Sequence, residues 1–181
     1  DTKFYAAPLV SALEYLHRQH VVYRDVKTEN VVLDNVGYPL LVDFGFSKRL
    51  AGNSGITFTI CGTPEFLAPE VIMGSGHGTT SDCWSFGCMM HELFSGASPF
   101  SSSDGPMVVI KKILEQEIML DDSIKVDDDA HQFVKELLDR NQNTRLGCGH
   151  QLLMSKHVFF KCEEEDDDDD DEYNDETGED E

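Results

Sequence analysis

The stretch that most constrains the fold is VVLDNVGYPLLVDF, residues 31 to 44. Two short runs of β-branched residues and leucine flank Asp34-Asn35-Val36-Gly37, a turn-forming quartet, and together they predict a β-hairpin. At the two ends of that hairpin stand a crowded polar stretch, YRDVKTEN at 23 to 30, and Asp43-Phe44-Gly45. Asp, Asn, Lys and Thr are ordinary loop residues, so YRDVKTEN alone reads equally as a solvated turn.

The remaining apolar pattern has a helical period. Residues 3–19 place Phe4, Leu9, Ala12, Leu13 and Leu16 on one stripe, and Pro8 inside the run should fray or kink its first turns. SDCWSFGCMMHELFSG at 81–96 carries Trp84, Cys88 and Leu93 at helical spacing and stops at Gly96. PMVVIKKILEQ (106–116) and DDDAHQFVKELLDR (127–140) repeat the pattern, the second with Asp129 and Gln132 spaced as a capping box. QLLMSKHVFF (151–160) is a last short helix, and the Gly/Ser/Thr-rich run from Ala51 to Thr63 is long enough for a mobile loop. The expected fold class is mainly α with one small β-hairpin.

At 181 residues the chain has room for one domain with a sizeable core. Its acidity is uneven: residues 163–181 hold 15 of the 35 Asp and Glu and no Lys or Arg, which leaves 20 acids against 14 bases before them. The body is thus about −6 and the tail −15. A tail opening EEEDDDDDDE, with Tyr173 its one aromatic residue, buries too little apolar surface to offset its ordering entropy and is expected to be disordered. A balance this acidic gives no reason to expect a nucleic-acid partner.

The five cysteines form no C-x-x-C pair, and their odd number suits reduced thiols in an intracellular protein. No apolar run reaches the roughly 20 residues of a membrane-spanning helix, and the start lacks the layout of a signal peptide. A cytoplasmic location is the expectation.

Taken in order, YRDVKTEN, DFG at 43–45, GTPEFLAPE at 62–70, D-x-W-S-x-G at 82–87 and Arg145 closely resemble the protein-kinase catalytic domain over about residues 3–160. The resemblance implies ATP-dependent phosphorylation of protein hydroxyls, with ATP and Mg²⁺ as cofactors. Asp25 would orient the acceptor hydroxyl and take its proton, Lys27 would sit on the γ-phosphate, and Asn30 and Asp43 would hold Mg²⁺ through oxygen ligands. Lys27 two residues after Asp25, together with Thr63 bonded into that pair, resembles serine/threonine kinases. Val32 and Val42 would floor the adenine pocket, or serve as plain strand core, and both readings can hold.

YRD, DFGFSKRL and TFTICGTPEFLAPE resemble the group containing the cyclic-nucleotide-dependent kinases and protein kinase C, and GYPLLVDFGFSKRL is most like the cyclic-GMP-dependent kinases. By that resemblance Thr59 is a phosphosite clamped by Arg24 and Lys48. Ile60, Pro64 and Leu67 would line the pocket for the residue after the phosphorylated one. Glu29 and Glu92 would bind basic residues before it, implying protein substrates with Arg or Lys near Ser/Thr. Glu70 with Arg145 and Asp82 with the catalytic loop would be architectural.

Several departures from the family pattern stand out, among them Pro8, where a helix-compatible residue is usual, and the acidic stretch after Phe160, where the family continues into a tail ending in an aromatic motif. Thr28 occupies a place where the family usually has proline. The Gly-rich loop, strand lysine and helix glutamate of the family are not found, so residues 1–162 are expected to be a C-terminal lobe, with an N-terminal lobe and a regulatory domain upstream. A lobe kept for docking, its acidic tail meeting basic partners, is the alternative, as is a truncated fragment inactive alone.

Overall fold

The computed structural model describes residues 2–50, 55–118, 126–149 and 153–161. The acidic tail, Cys162 and part of the Gly/Ser/Thr-rich loop lie outside the described residues, so the disorder expected of the tail and the mobility of that loop's first half are not addressed by it.

Helix α1 runs from Thr2 to Arg18 and buries Ala6, Leu9, Val10 and Leu13. Pro8 neither ends nor interrupts it, contrary to the expected fray. A proline removes one donor, here the bond to the carbonyl of Phe4 in the first turn, and the buried stripe that follows outweighs that loss.

The hairpin forms as expected: β2 (Val31–Leu33) pairs antiparallel with β3 (Pro39–Leu41), Val32 facing Leu40. The Asp34 carboxylate closes its turn, accepting the backbone N–H of Val36 and of Tyr38 at 2.9 Å each. One hairpin is not the whole β content, however. Strand β1 (Val21–Val22) pairs antiparallel with β4 (Lys48–Arg49), which encloses the polar stretch, the hairpin and Asp43 between two paired dipeptides.

Five α-helices and four 3-10 turns make up most of the regular structure among the described residues. Helix α2 (Pro69–Ile72) is a single turn, and α3 (Thr80–Ser95) is the central element, with every residue from Ser81 to Met90 buried. It stops at Gly96 in the left-handed region (φ 82°), as its sequence predicts. Helix α5 (Asp128–Leu137) crosses it so closely that a Cβ at Gly87 would stand 2.8 Å from Leu137 Cβ. The cap of α5 is Asp127, whose carboxylate accepts the N–H of Ala130 at 2.7 Å, and Asp129 lies inside the first turn. Three consecutive aspartates leave the cap undetermined by spacing alone.

Helix α4 (Pro106–Glu115) buries Val109 and Ile113, and Trp84 stacks on Phe100 beside it with ring centroids 5.6 Å apart. The last segment is two 3-10 turns, Met154–Lys156 and Val158–Phe160, where one short helix was expected. Its register is fixed by Glu14 of α1, whose carboxylate accepts both the N–H and the hydroxyl of Ser155 at 3.0 and 2.9 Å.

Candidate active site

The stretch from Tyr23 to Lys27, between β1 and the 3-10 turn Thr28–Asn30, has no regular structure of its own, so side chains from elsewhere must hold it. Asp82, in the first turn of α3 and fully buried, does most of this. One of its carboxylate oxygens accepts the N–H of Tyr23 and the other that of Arg24, both at 2.8 Å. Nε2 of His17, near the end of α1, meets the same carboxylate at 2.8 Å. Arg24 thereby holds a left-handed backbone, φ 73°, which a non-glycine residue adopts only when its surroundings impose it.

That turn aims Asp25 into a closed polar ring. Asp25 is buried, and its Oδ2 accepts Nδ2 of Asn30 at 2.8 Å and lies 3.1 Å from Lys27 Nζ. Thr63 donates its hydroxyl to Asp25 Oδ1 at 3.1 Å and accepts a hydrogen bond from Lys27 Nζ at 2.9 Å. Burial pushes the Asp25 carboxyl up, but hydrogen bonds from Lys27, Asn30 and Thr63 outweigh it and hold the group below the usual carboxylate range.

Gly62 makes the Thr63 contact possible. Its φ is 105° and a Cβ there would stand 2.6 Å from the carbonyl oxygen of Arg24, so only glycine lets the two segments approach this closely.

The hairpin delivers Asp43 to the same place. Val42 donates its N–H to the Asn30 carbonyl at 2.9 Å, and its own carbonyl accepts the Tyr23 hydroxyl. Burial, then the nearby Asp25 and Asp43, push the Tyr23 phenol up, so it stays a neutral donor. Asp43 itself is exposed and left-handed (φ 57°), with its Oδ1 accepting the N–H of Gly45 at 3.0 Å. Asn30 spends its Nδ2 on Asp25, through the side chain and through the carbonyl at 2.9 Å. Its amide oxygen is left as a candidate ligand. Among the described residues no group of three or more His, Cys, Asp or Glu is arranged to hold a metal ion by itself.

Val32 is 43% exposed on β2, whereas Val42 is half-buried just after β3. Thr59 and Ile60 are exposed, Pro64 opens the 3-10 turn Pro64–Phe66, and Leu67 closes it half-buried. Neither expected clamp residue touches Thr59 by hydrogen bond: Lys48 Nζ donates to Thr57 Oγ1 at 2.9 Å, and Arg24 Nε donates to the Phe46 carbonyl at 2.6 Å. The Nη1 of Arg24 is buried with no hydrogen-bond partner among the described residues.

Glu29 and Glu92 come together around the Thr28 hydroxyl, at 3.4 and 2.8 Å. Glu70 and Arg145 form a buried pair. The backbone N–H contacts of Asp82 are those the sequence leads one to expect, whereas the contacts of His17, the Tyr23 hydroxyl, Thr28 and Thr57 are not legible in it, since each joins positions that no local spacing relates.

A family model described as the protein kinase domain matches residues 1–160. The chain is 43% identical over 159 residues to "Protein kinase 2" of Dictyostelium discoideum, an alignment covering 88% of this chain and 32% of that protein. It is 45% identical over 145 residues to the "cAMP-dependent protein kinase catalytic subunit" of the same organism, covering 80% of this chain and 22% of the relative. With a Drosophila melanogaster "cGMP-dependent protein kinase" it shares 43% over 161 residues, 88% of this chain and 17% of the relative. These identities bear out the likeness to the cyclic-nucleotide-dependent kinases without ranking one above the other. The chain spans a third or less of the length of these relatives. The matched span contains the whole ring around Asp25 together with Asp43, and the chain belongs to the protein kinase family.

Proposed function

We propose that the chain is the substrate-binding, C-terminal lobe of a serine/threonine kinase that transfers the γ-phosphoryl group of ATP to hydroxyls on proteins carrying nearby basic residues. The observation that carries this reading is the ring of Asp25, Lys27, Asn30 and Thr63, closed by hydrogen bonds of 2.8–3.1 Å. A carboxylate held ionised at neutral pH accepts the hydroxyl of an incoming Ser or Thr, orients it and takes its proton as the bond to phosphorus forms. Lys27, beside it, sets a positive charge where the transferred group passes.

Asn30 and Asp43 fit a Mg²⁺ ion. An amide oxygen and one carboxylate, with no all-protein cage around them, are what an ion carried in by nucleotide phosphates requires. Bound there, the ion would neutralise charge on the phosphate oxygens. Val32, Leu33, Leu40, Phe44 and Phe46 are between 43% and 55% exposed around the hairpin, an apolar surface that suits cover by nucleotide and by a second lobe.

A chimera tests the reading. Residues 2–161 replace the matching segment of the Dictyostelium cAMP-dependent catalytic subunit, and transfer to a serine peptide with an upstream arginine is measured. Transfer is expected, with a loss of about 10²–10⁴-fold in Asp25→Asn. A folded chimera that binds ATP and peptide but transfers nothing would refute it and favour a docking lobe.

A further inference from the structure

Thr28 opens the 3-10 turn Thr28–Asn30, preceded by an extended Lys27 (φ −165°, ψ 163°). Both features suit a proline at position 28, because the residue before a proline is held extended and the first position of a helical turn has no partner for its N–H. The Thr28 hydroxyl does no work for the turn. It donates instead to Glu92 Oε2 of α3 at 2.8 Å, a contact 64 positions away, with Glu29 Oε2 3.4 Å from the same oxygen.

Those two carboxylate oxygens are therefore no farther apart than the sum of the contacts, 6.2 Å. Among the described residues neither Glu29 nor Glu92 makes an ion pair with a cationic side chain. Two like charges this close, joined by one hydroxyl, gain most from a cation that satisfies both. A guanidinium donating two charge-assisted hydrogen bonds of about 2.8 Å spans such a gap, and its planar fork fixes the geometry better than an ammonium does.

We propose that Thr28 is a positioning residue that sets a preference for arginine over other substrate residues, by holding Glu92 beside Glu29 so that the pair grips one guanidinium. This rests on the basic-substrate reading above and names the residue that shapes its subsite. Glu29 on the catalytic loop and Glu92 on α3 belong to separate elements, and the Thr28 hydroxyl is the hydrogen bond that ties them here. Without it, Glu92 keeps its charge and loses its placement.

The test is peptide binding by the full 181-residue chain, read by fluorescence anisotropy and so independent of phosphoryl transfer. Three labelled peptides differ at one position before the serine: Arg, Lys or Ala. The wild type should bind the Arg peptide about tenfold more tightly than the Ala peptide, with Lys between. Thr28→Val, which keeps the shape and removes the hydroxyl, should cut the Arg/Ala ratio about threefold to tenfold and leave Ala-peptide binding unchanged. Thr28→Ser should restore the ratio. An undiminished ratio in Thr28→Val, or an equal loss for all three peptides, overturns the role of Thr28 and leaves the basic-substrate reading standing. A wild type that does not distinguish Arg from Ala overturns that reading and this inference with it.

Discussion

Arg145 and Glu70 meet through two parallel hydrogen bonds, Nη1 to Oε1 at 2.7 Å and Nη2 to Oε2 at 2.9 Å, both side chains buried. The same guanidinium donates to the carbonyls of Thr80 and Asp139 and lies 5.2 Å from the Trp84 ring. One side chain thus joins α2, which follows the segment bearing Thr63, to α3, which carries Asp82. The pair contributes registry between the two arms of the site.

Removing one partner leaves a buried charge without its counterion. Arg145→Met should therefore destabilise the fold by about 3–5 kcal/mol. At about 2–4 °C per kcal/mol for a chain of this size, thermal unfolding followed by circular dichroism should shift down by roughly 10 °C. A shift under 2 °C would show that the pair is placed there without stabilising anything.

Asp82 supports the catalytic loop in a way that hydrogen exchange can read. Asp82→Ala strips the N–H groups of Tyr23 and Arg24 of their acceptor, each orphaned donor costing about 1–3 kcal/mol. The left-handed turn at Arg24 should relax, and both amides should exchange faster by at least tenfold while those of α5 stay protected. Uniform acceleration across the fold would point to global loosening instead.

How much of this was legible beforehand differs from residue to residue, for physical reasons. The hairpin could be read because its signal is local: turn chemistry at Asp34–Gly37 between two β-branched runs. The ring around Asp25 could be read because Asp25, Lys27 and Asn30 lie within one turn of chain and the family resemblance supplied Thr63 and Asp43. The β1–β4 ladder could not, since Val21-Val22 and Lys48-Arg49 are too short to show a period and pair across the whole hairpin. In the sequence Thr28 stands out only as a departure from proline. Its partner Glu92 sits 64 positions away, so its use becomes visible only with side chains in place.

The two carboxylates of the site should fail differently. In the chimera, Asp25→Asn should cut transfer by about 10²–10⁴-fold and leave nucleotide affinity within about twofold, because the polar partners of Asp25 are Lys27, Thr63 and the Nδ2 of Asn30, whereas the exposed Asp43 accepts the N–H of Gly45. Asp43→Asn should weaken Mg-ATP binding, measured by calorimetry with and without Mg²⁺. Equal loss of nucleotide affinity in both would reverse the roles assigned to them. Asp25 also predicts an acid dependence of stability. Its pKa is lower folded than unfolded, so its contribution is present above the unfolded value of about 3.9 and is lost as pH falls through the lower folded value. Urea unfolding across that window should show a steeper loss of stability in the wild type than in Asp25→Asn.

Thr59 is the phosphosite that the family resemblance implies. The threonine is exposed, and the two cations expected to clamp it are engaged elsewhere, Lys48 with Thr57 Oγ1 and Arg24 with the Phe46 carbonyl. Lys48 lies close by in the fold, on Thr57, whose hydroxyl the N–H of Thr59 reaches at 3.5 Å, and Arg24 has a buried Nη1 without a partner among the described residues. A dianion on Thr59 gives both cations a charge-assisted acceptor better than a neutral oxygen. Since Arg24 adjoins Asp25, such a clamp would steady the carboxylate proposed to orient the acceptor hydroxyl. In the chimera, Thr59→Ala should therefore lower transfer by at least tenfold, and Lys48→Ala should remove most of the gain that phosphorylation brings while sparing the unphosphorylated rate. Phosphopeptide mapping of the active chimera should find Thr59 modified. Full activity with Thr59 unmodified would mean that the segment from Thr57 to Thr63 is already ordered enough without it, as its bridge to the backbone of His77 at 2.8 and 2.9 Å would allow.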